Sequence, residues 1–301
     1  MQVLDGAAQL RDWDSILQTD GSFEGSFDQA VDSDHVAWVA DSMLHIRPTW
    51  IDETPGDSQA VPHVQTAKLR SKASVTFGKA RVTAKFPKGD WLWSTISLEP
   101  AEDSYGSFPG SGRIDLAQIR GNGRGFLSGG IDKADHLIHY GAAGILASDC
   151  AYKDRNVASL GVTDFGAGFH TFGDLARLSF QHHASLGVPR GFWRKTGFSL
   201  YLGGDPRLTY SDPWTNGTRA APFDVAFHLV IRVNAGSVGG IFADVDEKPW
   251  YDAAGREAAM HNFNLRNQTW RSTWGKPEQH TLQIKSAMMF QQLSADSSWA
   301  S

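Results

Sequence analysis

Residues 79–86 read Lys-Ala-Arg-Val-Thr-Ala-Lys-Phe, so that Ala80, Val82, Ala84 and Phe86 share one face and Lys79, Arg81, Thr83 and Lys85 the other. A period of two does not suit a helix and predicts a strand with one buried and one wet face. The same alternation recurs at Leu44 and Ile46, at Phe227, Leu229, Ile231 and Val233, and at Leu282 and Ile284. Between these runs stand Gly, Pro, Asn and Asp clusters at short intervals, without an internal repeat or a low-complexity linker. Residues 253–266 are the exception: Ala258, Ala259 and Met260 favour a short helical turn, against which Gly255 works. Many strands and many turns predict an all-β fold, a β-sandwich of two antiparallel sheets. A chain of 301 residues with 41% hydrophobic content buries a core large enough for one domain spanning 1–301.

Charge and composition exclude some functions. A net charge of −5, with no Lys/Arg-rich run, leaves no electrostatic footprint for nucleic acid. No stretch approaches 18 apolar residues, so no membrane span is expected, and the first ten residues carry neither a basic nor an apolar signal-peptide region. Cys150 is the single cysteine, which rules out an intrachain disulfide and a cysteine-based metal cluster. The acceptor sequons at Asn216 and Asn267 fit an extracellular protein, at about the number chance alone supplies.

Three blocks carry a family resemblance. Phe86-Pro-Lys-Gly-Asp-Trp-Leu-Trp93 is followed by Ser111-Gly-Arg-Ile-Asp-Leu-Ala-Gln-Ile-Arg-Gly-Asn122. The third block runs through Phe169-His-Thr-Phe-Gly173, Gly191-Phe-Trp193, Ala221-Pro-Phe-Asp224, Lys248-Pro-Trp250, Arg266-Asn-Gln and Trp274-Gly. In order and spacing, over roughly residues 65 to 291, the chain resembles glycoside hydrolase family 16. The subgroup it resembles holds eukaryotic laminarinases and invertebrate β-1,3-glucan recognition proteins; the first ~60 residues match poorly. The resemblance implies a concanavalin A-like jelly roll with a concave glycan-binding cleft. It also implies extracellular action, a β-glucan polysaccharide or oligosaccharide as partner, and no cofactor beyond the structural calcium ion that the family often carries.

The family's catalytic strand reads S-G-E-I-D-x-x-E-x-R-G-N, with a nucleophilic Glu, a helper Asp and an acid/base Glu. Here those positions hold Arg113, Asp115 and Gln118, so only the helper remains. Alternation puts Arg113 and Asp115 on one face, and a β-bulge after Asp115 would bring Gln118 onto it. Arg113 has no lone pair with which to attack and is expected to pair with Asp115, while Gln118 has no proton to transfer at neutral pH. Glu99, Glu102 and Asp103 are expected in a solvated loop and supply no replacement pair with the roughly 5–5.5 Å or 6.5–9.5 Å separation that glycoside hydrolysis needs. The family's aromatic and polar cleft positions have drifted too, to Ser97, Ala176 and Arg232.

Candidate carbohydrate contacts are Trp91 and Trp93, which alternation places on a face with Ser97; Trp193 in a Gly-Phe-Trp loop; Arg120 and Asn122 of the R-G-N segment; and His170. The competing role for each is structural, and Trp is more often buried than not. His136, His139 and the pair His182-His183 lack the spacing of a metal site, so no metal ligand is assigned. Three readings stand: a non-catalytic β-glucan-binding protein, a weakly active endo-β-1,3-glucanase or transglycosylase, and a scaffold that has lost sugar binding.

Overall fold

The structure is a computed structural model that describes residues 2–5, 10–18, 23–52, 61–140, 152–158, 164–173, 198–202, 205–210, 222–244 and 248–291. Cys150, Ala176, His182, His183, Trp193 and Asn216 lie outside these residues.

Two antiparallel sheets form the body, as the alternation requires. One sheet runs in the order Tyr152–Ala158, Ala134–Tyr140, Arg113–Arg120, Leu92–Pro100, Phe227–Ala235, Lys68–Val75, Trp13–Ser15. It carries the row of Arg113, Asp115 and Gln118 and is called the cleft sheet below. The outer sheet runs Asp205–Tyr210, Phe198–Leu202, His170–Gly173, Gly78–Lys85, Leu282–Gln291, Met43–Ile46, Ala37–Ala40, with Gln2–Asp5 also paired to Leu282–Gln291. Between the sheets lies an aliphatic core. Ile96, Leu98, Ile114, Leu116, Ile119 and Ile231 come from the cleft sheet, and Ala80, Val82, Ala84, Leu282 and Ile284 from the outer one. The strand Gly78–Lys85 alternates buried and partly exposed at every position, as its sequence predicts.

A second, aromatic core sits at one end of the cleft sheet, on the side away from the aliphatic core. Phe27, Trp91, Trp93, Phe242, Trp250, Phe263, Trp270 and Trp274 are its large members. The helix Arg256–Leu265 closes it, burying Ala259, Met260 and Phe263, so the expected helical turn is a full helix that starts after Gly255. A small third sheet joins Asp28–Ala30 in parallel with Val64–Thr66, which pairs with Thr49–Trp50.

The fold departs from an open cleft in one respect. A strand on the floor of an open cleft has every second residue wet, whereas Arg113–Arg120 is buried at all eight positions. Something covers the concave face, and among the described residues the covering comes from the turn at Phe23-Glu24-Gly25, the stretch around Phe108, and residues 237–242 and 248–250.

Candidate functional site

The expected bulge is present. Asp115 faces Leu137 and Gln118 faces Asp135, so three steps along Arg113–Arg120 match two along Ala134–Tyr140. On the other side Asp115 pairs with Ser97 and Gln118 with Thr95, which confirms that Arg113, Asp115 and Gln118 form one row. Leu116 and Ala117, the residues between, turn into the aliphatic core. Register extends the row sideways. Arg113 stands opposite His139, and Thr95 stands between Gln118 and Arg232.

Arg113 is the hub. Its Nε lies 2.9 Å from Asp115 Oδ1, and its Nη2 lies 2.5 Å from Glu24 Oε1 and 3.1 Å from Asp115 Oδ2. His139 Nε2 is 2.8 Å from Asp115 Oδ2. The same Nε2 lies 3.0 Å from Arg113 Nη2, so it stands between a carboxylate, which only accepts, and a guanidinium, which only donates. The guanidinium sits 4.8 Å from the ring centroids of both Phe23 and Phe108. Arg232 lies 3.5 Å from the Phe23 centroid and pairs with Glu99, which is also 3.7 Å from Lys68 Nζ. Three cations, Lys68, Arg113 and Arg232, thus meet three carboxylates, Glu24, Glu99 and Asp115.

The balance fixes the protonation states. Burial pushes the Asp115 carboxyl up, but the charge of Arg113 and the contact with His139 outweigh it and hold the group well below the usual carboxylate range. Glu99 follows the same pattern, with burial opposed by Arg232, Lys68 and Arg113 and a net lowering. Burial, and then the charge of Arg113, pushes His139 down, which keeps it neutral. Burial also lowers Lys68, to about 8, with Arg232 adding to the effect and Glu99 opposing it. For Arg113 burial works against the charge, but Asp115, Glu24 and Glu99 more than offset it, so the guanidinium stays protonated. A protonated, ion-paired guanidinium occupies the nucleophile position, and Gln118, an amide, occupies that of the acid.

Several expected sugar contacts are buried structural residues. Trp93 is 0% exposed: its ring stacks on Phe23 at 5.5 Å and its indole N–H donates to Gly236 O at 3.0 Å. Trp91, 6% exposed, precedes the strand at φ 66° and packs edge-on against Phe126, Phe242 and Trp250. Alternation located Trp93 on the cleft face correctly, but the residues that cover that face leave neither ring open to a sugar. Arg120 is buried, donating from Nε to Ile241 O at 2.5 Å and pairing with Asp135 at 3.0 Å. Asn122 accepts from the Trp91 amide at 3.2 Å and donates to Asp90 at 3.3 Å, bracing the turn. His170 belongs to the outer sheet, opposite Ala84 and edge-on to Phe165, and is not brought to the row. Burial lowers its pKa. Glu99 is not a loop residue: it lies within Leu92–Pro100 and belongs to the charge network, whereas Glu102 and Asp103 are exposed as expected.

Sequence reasoning missed Phe23, Glu24, His139 and the Arg232–Glu99 pair. Strand register brings residues 99, 113, 139 and 232 together, a turn carries residue 24 to them, and Glu24 falls in the segment without a recognisable family pattern. Beside the network remains a cavity of about 240 Å³ lined in part by Phe23, Glu24, Glu99, Phe108 and Arg113. Among the described residues no group of three or more His, Cys, Asp or Glu side chains could hold a metal ion, and no helix is long and apolar enough to cross a membrane.

The two stacked antiparallel sheets form the jelly-roll fold of the family 16 laminarinases, and the chain is similar in sequence to β-1,3-glucan-binding proteins. A β-1,3-glucan-binding protein of Penaeus monodon is 25% identical over 306 aligned positions, covering 87% of this chain and 80% of that protein. A β-1,3-glucan-binding protein of Hyphantria cunea is 31% identical over 230 positions, 72% of this chain but 46% of its own length. The chain therefore spans less than half of this insect relative. A glucan endo-1,3-β-glucosidase of Cryptopygus antarcticus is 31% identical over 206 positions, 65% of this chain and 62% of that enzyme. Among solved structures, the laminarinase from Rhodothermus marinus superposes with a TM-score of 0.63 at 17% identity, covering 97% of this chain and 94% of that one. No family model matches the chain.

Proposed function

We propose that the protein recognises β-1,3-glucan without cleaving it. The observation that carries this reading is Arg113, a buried guanidinium paired with Asp115 and Glu24 at the position that the resemblance gives to the nucleophile of a retaining glycosidase. Neither step of the two-carboxylate mechanism is available to the row. Arg113 cannot form a glycosyl intermediate, and Gln118 cannot protonate a leaving oxygen; general acid catalysis alone contributes roughly 10²–10⁴-fold. Asp115 is ionised and engaged by Arg113 and His139, which leaves it poorly placed to activate water. The names of the relatives from Penaeus monodon and Hyphantria cunea support β-1,3-glucan as the ligand. By the same resemblance the protein acts outside the cell.

Calorimetric titration with laminarihexaose, paired with a reducing-end assay on laminarin, tests the proposal. Saturable heat with no reducing ends above the buffer blank is the expected result. Absence of binding by wild type and by variants that uncover the row overturns glucan recognition. Reducing-end release that Asp115→Ala abolishes overturns the absence of catalysis.

A further inference from the structure

The described tip of the cover is the turn Phe23-Glu24-Gly25, in which Ser26 N donates to Phe23 O at 3.1 Å and Val238 N to Gly25 O at 3.2 Å. Glu24 and Gly25 occupy consecutive left-handed backbone conformations, φ 50° and 67°, and a glutamate there is strained in a way a glycine is not. On its C-terminal side the segment is anchored firmly: Phe27 N donates to Ala235 O at 2.9 Å, and Asp28 accepts from Ala235 N and from Thr66 Oγ1, both at 2.8 Å. Gly25 leaves no room for a side chain, since a Cβ there would stand 2.5 Å from Val238 Cγ2. Beyond this pivot, the side chains of the tip are held by the stack of Phe23 on Trp93, the two guanidinium contacts to the Phe23 ring, and the Glu24–Arg113 pair. Ser237 Oγ also donates to Glu24 O.

What lies under the tip is incompletely satisfied. Gln118 Oε1, Thr95 Oγ1, Asn234 Nδ2, and Arg232 Nε and Nη1 are buried polar atoms with no hydrogen-bond partner among the described residues. They form one patch by register: Thr95 lies between Gln118 and Arg232, and Asn234 lies beside Trp93. Native interiors rarely leave such groups unpaired, because burial removes their hydration without replacement. The patch offers an acceptor, a hydroxyl, an amide donor and guanidinium donors, a set that matches the hydroxyl groups of a neutral sugar. Covering it with a phenyl ring satisfies none of these atoms.

We infer that Phe23-Glu24 is a displaceable strap that closes the cleft in the free protein, and that a β-glucan segment binds the patch of Thr95, Gln118, Arg232 and Asn234 when the strap lifts about Gly25. This inference rests on the glucan-recognition reading above and adds to it an autoinhibitory step. The apparent dissociation constant then equals the intrinsic one divided by the fraction of open molecules, so weakening the strap tightens binding. Lifting the strap also frees Glu24 from Arg113, which keeps Asp115 as a counter-charge.

The test compares laminarihexaose binding by wild type, Phe23→Ala and Glu24→Gln, with hydrogen exchange of residues 23–27 in the wild-type protein. Loss of the charge-assisted bond from Arg113 to Glu24 is expected to tighten apparent affinity about tenfold. Amides from Phe23 to Ser26, whose N–H bonds Phe23 O, are expected to exchange faster when wild type is saturated with sugar, while Phe27, bonded to Ala235 O, stays protected. Binding by Phe23→Ala where wild type shows none also supports the strap. Wild-type binding with unaltered affinity in both variants, or with slowed or unchanged exchange at 23–26, overturns the strap while leaving glucan recognition standing. Failure of all three proteins to bind overturns both.

Discussion

Replacing Arg113 by methionine removes the hub of the charge network while keeping most of its volume. The change leaves Asp115, 0% exposed, with His139 as its remaining close partner, and it leaves Glu24 without its cation. Breaking a buried pair by removing one member typically costs about 3–5 kcal/mol, a large part of the roughly 5–15 kcal/mol that a domain holds in total. The cost depends on pH in a defined direction. In wild type the lowered Asp115 pKa contributes stability that is complete above the unfolded value near 3.8 and is lost as pH falls through the folded value. Without Arg113, burial is opposed only by His139 and more distant charges, the folded pKa rises, and protonation relieves the penalty on acidification. Urea denaturation of wild type and Arg113→Met at pH 7 and pH 4 checks this, with constant slope as the condition for comparison. The expected result is a deficit of about 3–5 kcal/mol at pH 7 that shrinks at pH 4. A deficit below about 1 kcal/mol, as for an exposed pair, or one unchanged by pH, refutes a buried ion-pair network.

Two further outcomes follow from burial. Trp93→Ala removes a 0%-exposed ring with its hydrogen bond to Gly236, and is expected to cost about 3–5 kcal/mol in chemical denaturation; a change under 1 kcal/mol would indicate an open ring instead. Lys68, lowered to about 8 from 10.5, binds fewer protons folded than unfolded between those values, so its burial penalty fades as pH rises across that window. Wild type should therefore gain stability relative to Lys68→Met between pH 8 and 10.5, and a constant difference would show that Lys68 is solvated.

The body of the fold was legible because alternation is local: residues 79–86, 227–233 and 282–284 declare their faces without reference to any partner. The bulge was legible only through the family resemblance, which places Gln118 in one row with Asp115 where alternation alone sends it to the opposite face. Alternation states which face a side chain takes and is silent on what covers that face. Trp93 was thus assigned to the correct side and to the wrong environment, and Trp91 does not lie on the strand. Glu24 and His139 were invisible because a charge declares its partner only through register or a loop crossing, here over 89 and 26 positions from Arg113. The sequence paired Arg113 with Asp115 and weighed His139 only as a metal ligand, where the structure shows Arg113 at the centre of a network that also takes in Glu24 and His139.

Glucan recognition without cleavage is tested most directly by native mass spectrometry of the protein incubated with laminarihexaose at neutral pH, with Phe23→Ala alongside to open the cleft. The account predicts a complex whose added mass is one intact hexasaccharide, more abundant for Phe23→Ala than for wild type and unchanged after prolonged incubation. Shorter oligosaccharides appearing with time, or no complex with either protein, would contradict it.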